Sequence, residues 1–91
     1  MISDLYKQFD ALGDSNRLKI LDLFTNIPEL TPTLVCEYLN ISSALLTHHL
    51  RVLKGCGLIN VQKSGRIKVL TLNKPELERL SKAISEFTKG N

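Results

Sequence analysis

From Tyr38 to Pro75 the chain has no aspartate or glutamate, although Arg51, Lys54, Lys63, Arg66, Lys68 and Lys74 all fall there. Residues 1–37 reverse the balance, with Asp4, Asp10, Asp14, Asp22, Glu29 and Glu37 against Lys7, Arg17 and Lys19. The overall charge of +3 is modest, but one region is set up to meet an anion. Cysteine is also scarce: Cys36 and Cys56 are too few for a disulfide framework and are expected as thiols. No apolar run approaches the roughly 20 residues that cross a bilayer, and MISDLYKQFD lacks the charged-then-apolar layout of a signal peptide. A cytoplasmic location and no membrane partner are therefore expected. There are no repeats and no low-complexity tracts, so the 91 residues are expected to form one domain, 1–91. Finally, no carboxylate lies near the two histidines in sequence to orient an imidazole, and a chain this short has little room for a substrate cleft. An enzyme is not expected.

What is present reads as five helices and one hairpin. Ile2, Leu5, Phe9 and Leu12 recur at helical spacing, a seam that ends at Gly13. Asp14 is placed to cap a second helix running to about Asn26, with Leu18, Leu21 and Phe24 inward and Pro28 beyond its end. Thr31 followed by Pro32 is an N-cap with proline at the first helical position, opening a short helix to about Leu39. A few residues later Ser42 caps the next helix, 42–54. After Gly55 and Gly57 the apolar period shortens to that of a strand. LINVQ and IKVLTL flank Lys63-Ser64-Gly65-Arg66, whose Ser-Gly suits a tight turn, so a hairpin with a basic tip is expected over 58–72. Asn73 and Glu76 form a capping arrangement around Pro75, and the last helix carries Leu77, Leu80, Ile84 and Phe87 at helical spacing. The expected fold class is mainly α with a small β-hairpin, in the order α-α-α-α-β-β-α. Two helices joined by a short turn and followed by a basic hairpin describe a winged helix-turn-helix.

In the stretch LTHHLRVLKGCGLI, helical projection separates the two histidines, because neighbouring side chains are about 100° apart. Leu46, Leu50 and Leu53 share one arc with His49 at its margin. His49 is expected to be partly buried, hydrogen-bonded to a neighbouring backbone group and holding the helix in place. Ser43, Ala44, Thr47, His48 and Arg51 face out and are the candidates to meet base edges in a major groove, Arg51 bidentate to guanine or on a phosphate, Ser43 and Thr47 as donors. Lys63, Arg66 and Lys68 are expected on phosphates or in the minor groove.

Three segments together resemble the arsenic-repressor (ArsR/SmtB) type of transcriptional regulators. ALGDSNRLKILDLF (11–24) is similar to that family's A-L-x-D-x-x-R-L-x-I-L opening. LNISSALLTHHLRVLKGCGLI (39–59) is similar to its helix-turn-helix, and KSGRIKVLTL to its wing. The resemblance implies a homodimeric repressor that binds double-stranded DNA at an operator palindrome and is released by a ligand or a change of redox state. The family dimerises through its first and last helices, which here carry Ile2, Leu5 and Phe9 and then Leu77, Leu80, Ile84 and Phe87. Packing of these seams within one subunit is the alternative. The family's metal sensors commonly use a cysteine pair where this chain has Thr31 and Thr33, or Asp and His ligands on the last helix, which here contains neither. Threonine does not replace a thiolate for a soft metal, so no metal and no cofactor are expected. Cys36 and Cys56 stand where the family usually has a small residue; they read as space-fillers, with a redox role as the alternative. The sequence does not name an inducer. A rival reading of the whole chain is a winged helix used for protein association with an acidic partner.

Overall fold

A computed structural model describes residues 2–90, with side chains from Leu5 onward. The first helix, α1, spans Ile2–Leu12 and α2 spans Ser15–Leu23. Between them Asp14 is extended, and its carboxylate accepts from the Arg17 backbone N–H at 3.0 Å, as the cap expected there should. A two-residue strand, β1 (Glu29–Leu30), leads into α3 (Pro32–Leu39), capped by Thr31 with Pro32 in its first turn. Asn40 then takes a left-handed conformation (φ 53°), which satisfies the end of α3 and turns the chain into α4 (Ser43–Gly55), capped by Ser42.

The hairpin is β2 (Ile59–Ser64) and β3 (Ile67–Leu72), paired in register from Ile59↔Leu72 to Ser64↔Ile67. Its loop is therefore Gly65-Arg66, one residue later than Ser-Gly. Gly65 has φ +64° and Arg66 does not, so glycine occupies the first loop position, where a type II′ turn requires it. This puts Arg66 at the tip. Asn73 caps the last helix, α5 (Lys74–Lys89), through the Glu76 N–H, and its own amide donates to Gly57 O at 2.8 Å.

The helix order and the hairpin were legible in the sequence; β1 was not. Glu29–Leu30 pairs with Thr71 and Leu70, giving an antiparallel sheet in the order β1-β3-β2. Two residues carry no readable period, and only β3 explains them as strand. All eight elements place at least one buried apolar side chain in a single cluster, among them Ala11, Ile20, Leu30, Val35, Leu46, Leu53, Ile59, Leu70 and Leu80. Within α2 the expected inward set needs correction. Leu18 is 51% exposed, while Ile20, which was not in that set, is fully buried. This helix packs on α1, α3 and α4 together, so no single apolar stripe marks its inner side.

The terminal seams divide. Leu5, Phe9, Leu12 and Leu77 are half-buried against the chain's own core, and Leu80 is 2% exposed and thus closed off within the subunit. Ile84 at 44% and Phe87 at 68% are open. Ile2 lies outside the described side chains. Past Leu80 the helix projects away from the body. The radius of gyration is 14.0 Å, with a longest extent of 49 Å, against about 12 Å for a compact chain of this length.

Candidate nucleic-acid interface

Helix α4 is held by one side. Leu46, His49 and Leu53 are buried and Leu50 is half-buried, while Ser43, Ala44, Thr47, His48 and Arg51 are exposed. The projection from sequence divides the helix in the same way. In this free chain the Thr47 hydroxyl donates to Ser43 O at 2.8 Å. Its proton is thus engaged by the helix, and it offers an outside group its methyl and lone pairs.

His49 is 4% exposed, but its partner is not a backbone group as expected. Its Nδ1 lies 3.2 Å from Arg17 Nη1 and 3.9 Å from Asp14 Oδ1, both across on the α1–α2 junction. Arginine has only donors, so this bond requires Nδ1 to accept and puts the imidazole proton on Nε2, which is buried without a partner. Burial pushes the imidazole below its usual range; the nearby Asp14 carboxylate opposes this less strongly, and Arg17 adds to it. The ring is therefore neutral near pH 7, and the Asp14 contact is not an ion pair there. Asp14 in turn is held below the usual carboxylate range, chiefly by the Arg17 backbone N–H. Arg17 Nε also donates to Ala11 O at 2.6 Å, so one side chain ties together α1, α2 and α4.

A second polar joint was likewise unread. Gln8 is 2% exposed; its Nε2 donates to Glu76 Oε1 at 2.7 Å and to Cys56 O at 3.1 Å, linking α1 and α5 to the end of α4. Glu76 also accepts from Arg79, and these bonds, Arg79 foremost, hold its carboxyl below the usual range. The signal for Gln8 was its place on the α1 seam, three residues after Leu5 and four before Leu12. Arg17 stood in the ALGDSNRL segment three residues after its cap, but nothing local pointed to His49.

On the hairpin Lys63 and Lys68 are directly opposite each other across β2 and β3. Like charges so placed destabilise a hairpin unless an anion lies between them. Among the described residues no carboxylate is within ion-pair distance of Arg51, Lys54, Lys63, Arg66, Lys68 or Lys74. The acid-free stretch thus becomes a surface of unpaired cations running from α4 to the tip of the hairpin. Between α3, α4 and the hairpin lies an open groove of about 590 Å³, whose lining includes the exposed cations Arg51, Lys54 and Lys68 and the half-buried Cys36, Leu50 and Val61.

Both cysteines are free. Cys56 Sγ donates to Leu53 O at 3.5 Å, and burial pushes its thiol up, opposite to what activates a thiolate. Cys36 is half-buried in the groove. Among the described residues no three His, Cys, Asp or Glu side chains converge, and no helix is long and apolar enough to cross a membrane.

Comparison with known proteins gives a coherent picture. Residues 14–61 match the family model described as bacterial regulatory protein, arsR family. The chain is 38% identical over 80 residues to the uncharacterized HTH-type transcriptional regulator YuzN of Bacillus subtilis (strain 168), covering 81% of this chain and 87% of that protein. Over 70 residues it is 34% identical to the transcriptional repressor SdpR of the same organism, covering 77% of each. Its fold is similar, with a TM-score of 0.77 and 19% identity, to the solution structure of a homodimeric winged helix-turn-helix DNA-binding domain, Mb0332 from Mycobacterium bovis, over 97% of this chain and 81% of that one.

Proposed function

The chain belongs to the arsR family of bacterial regulatory proteins, a family of transcriptional regulators and not of enzymes, and from that premise we propose that it is a cytoplasmic homodimeric repressor whose 91 residues act as one reading and dimerising domain. Each subunit lays the outer side of α4 in a major groove of a two-fold symmetric operator, and the hairpin reaches the flanking backbone. The observation that carries this reading is the coincidence of two independent features. The side of α4 that the core leaves exposed, together with the hairpin tip, falls wholly within residues 38–75, the longest stretch of chain with no acidic residue. A protein-association surface for an acidic partner needs the cations but not a polar helix side standing clear beside a basic wing.

Division of labour follows from reach. Arg51, Ser43, Thr47, His48 and Ala44 stand on the helix and meet base edges, where a good contact discriminates by about 1–3 kcal/mol. Lys63, Arg66 and Lys68 meet phosphates, which adds affinity without sequence preference. For the dimer, the projecting half of α5 presents Ile84 and Phe87, and α1 presents Tyr6, all exposed in a single chain. A second subunit covers these while Leu77 and Leu80 stay with their own core. Repressor action is supported by the likeness to SdpR, and the dimer by the likeness to Mb0332.

Selection of bound duplexes from a random pool, read with the solution mass, tests the proposal. Half-sites related by a two-fold axis about one helical turn apart, bound by a chain of twice the monomer mass, are expected. A monomer at high concentration that enriches no sequence refutes it.

A further inference from the structure

We infer that the groove between α3, α4 and the hairpin binds amphipathic carboxylates, the apolar chain on its floor and the carboxylate at its basic rim, and that such a ligand excludes DNA. The exclusion rests on the reading of α4 and the hairpin as the DNA surface; the binding site does not.

At about 590 Å³ the groove is of a size that takes small molecules. Its floor is drawn from three elements, with Cys36 from α3, Leu46 and Leu50 from α4 and Val61 from β2, and its rim holds Arg51, Lys54 and Lys68. Among the described residues no acidic side chain lines it. The rim cations have no carboxylate partner among the described residues, and Cys36, Leu50 and Val61 are only half-buried, so both halves of the groove are left open to a ligand. A phosphodiester strand answers the cations but presents charge and sugar to the apolar floor. A neutral apolar molecule covers the floor and leaves the cations unanswered. An alkyl carboxylate does both, since burying its chain gains free energy in proportion to area while its head group replaces the missing counter-ion. Ser43, Thr47, Arg51 and Lys68 line the groove and are also among the residues assigned to DNA, so the two ligands compete for the same atoms.

Cys36 on the floor reports occupancy directly. In the wild-type protein its labelling by N-ethylmaleimide, separated from that of Cys56 by peptide mass spectrometry, is followed with sodium dodecanoate below its micelle concentration. Saturable slowing at Cys36 and not at Cys56 is expected, weakening through decanoate and octanoate by up to about fourfold per methylene removed. Dodecyltrimethylammonium and acetate at the same concentration should not slow it. Lys54→Glu, at an exposed position, should lose the protection at a dodecanoate concentration that saturates the wild type. With a duplex recovered by selection, dodecanoate should raise the apparent Kd in step with Cys36 protection. No slowing by dodecanoate, or equal slowing by the cationic amphiphile, overturns the site whatever the DNA results. Protection with unchanged duplex affinity leaves the site standing, but overturns the exclusion and the placing of DNA on this face. A wild-type protein that binds no duplex fails the DNA reading alone, because the labelling decides the site without DNA.

Discussion

The two sides of α4 each carry a histidine, yet differ in what surrounds and holds it. On the inner side His49 is fixed by Arg17 and lies between Leu46 and Leu53, which are buried in the core. On the outer side His48, one residue away with its ring centroid 5.5 Å from that of His49, faces solvent beside Thr47 and Arg51. The difference teaches that neither histidine is read by its type. A rotation of about 100° along the helix decides whether an imidazole is enclosed by the core or faces solvent. On the function proposed above, the inner side governs stability and the outer side governs binding.

The largest effect belongs to the inner side. Leu53→Ala should cost about 2–5 kcal/mol by denaturant unfolding, because it leaves a cavity in the cluster shared by all eight elements. Arg51→Ala should leave the unfolding midpoint unchanged and lose about 1–3 kcal/mol of preference for the selected duplex over a scrambled one. Equal losses on both duplexes would break the contrast between reading and anchoring. Arg66→Ala should weaken both duplexes alike and flatten the dependence of log K on log salt by about 0.9.

The buried imidazole adds a pH dependence. Its folded-state value lies below the ordinary 6.5, so the unfolded chain takes up the proton first. Its contribution to stability is therefore complete above pH 6.5 and is lost as pH falls from there through the lower folded value. Thermal unfolding between pH 7 and 5 should show this decline in the wild type and a flatter one in His49→Gln. The smallest effect is at the hairpin. Lys63→Glu converts a like-charge cross-strand pair with Lys68 into an opposite one and should stabilise the chain by up to about 1 kcal/mol while weakening duplex binding. Stabilisation with unchanged duplex affinity would argue that the pair is structural only.

Much of this was legible in the chain itself. Asp14, Thr31, Ser42 and Asn73 announce four helix starts because a cap acts on N–H groups two or three residues away, and the 3.6-residue period of 46–53 fixes which side of α4 is buried. What escaped was long-range. The partner of His49 lies 32 residues away on α2, and Gln8 bridges to Cys56 and Glu76, 48 and 68 residues distant. The strand at Glu29–Leu30 exists because β3 offers it an edge. Leu18 and Ile20 exchange their expected places because α2 meets several neighbours at once, and Leu80 falls to the subunit core because only the end of α5 projects.

Methylation interference on the selected duplex tests the placing of α4 most directly, since guanine N7 opens to the major groove and adenine N3 to the minor. The expected result is interference at guanine N7 in both half-sites, at positions that no longer matter in Arg51→Ala. Interference confined to adenine N3, or a guanine pattern that Arg51→Ala leaves unchanged, would contradict it.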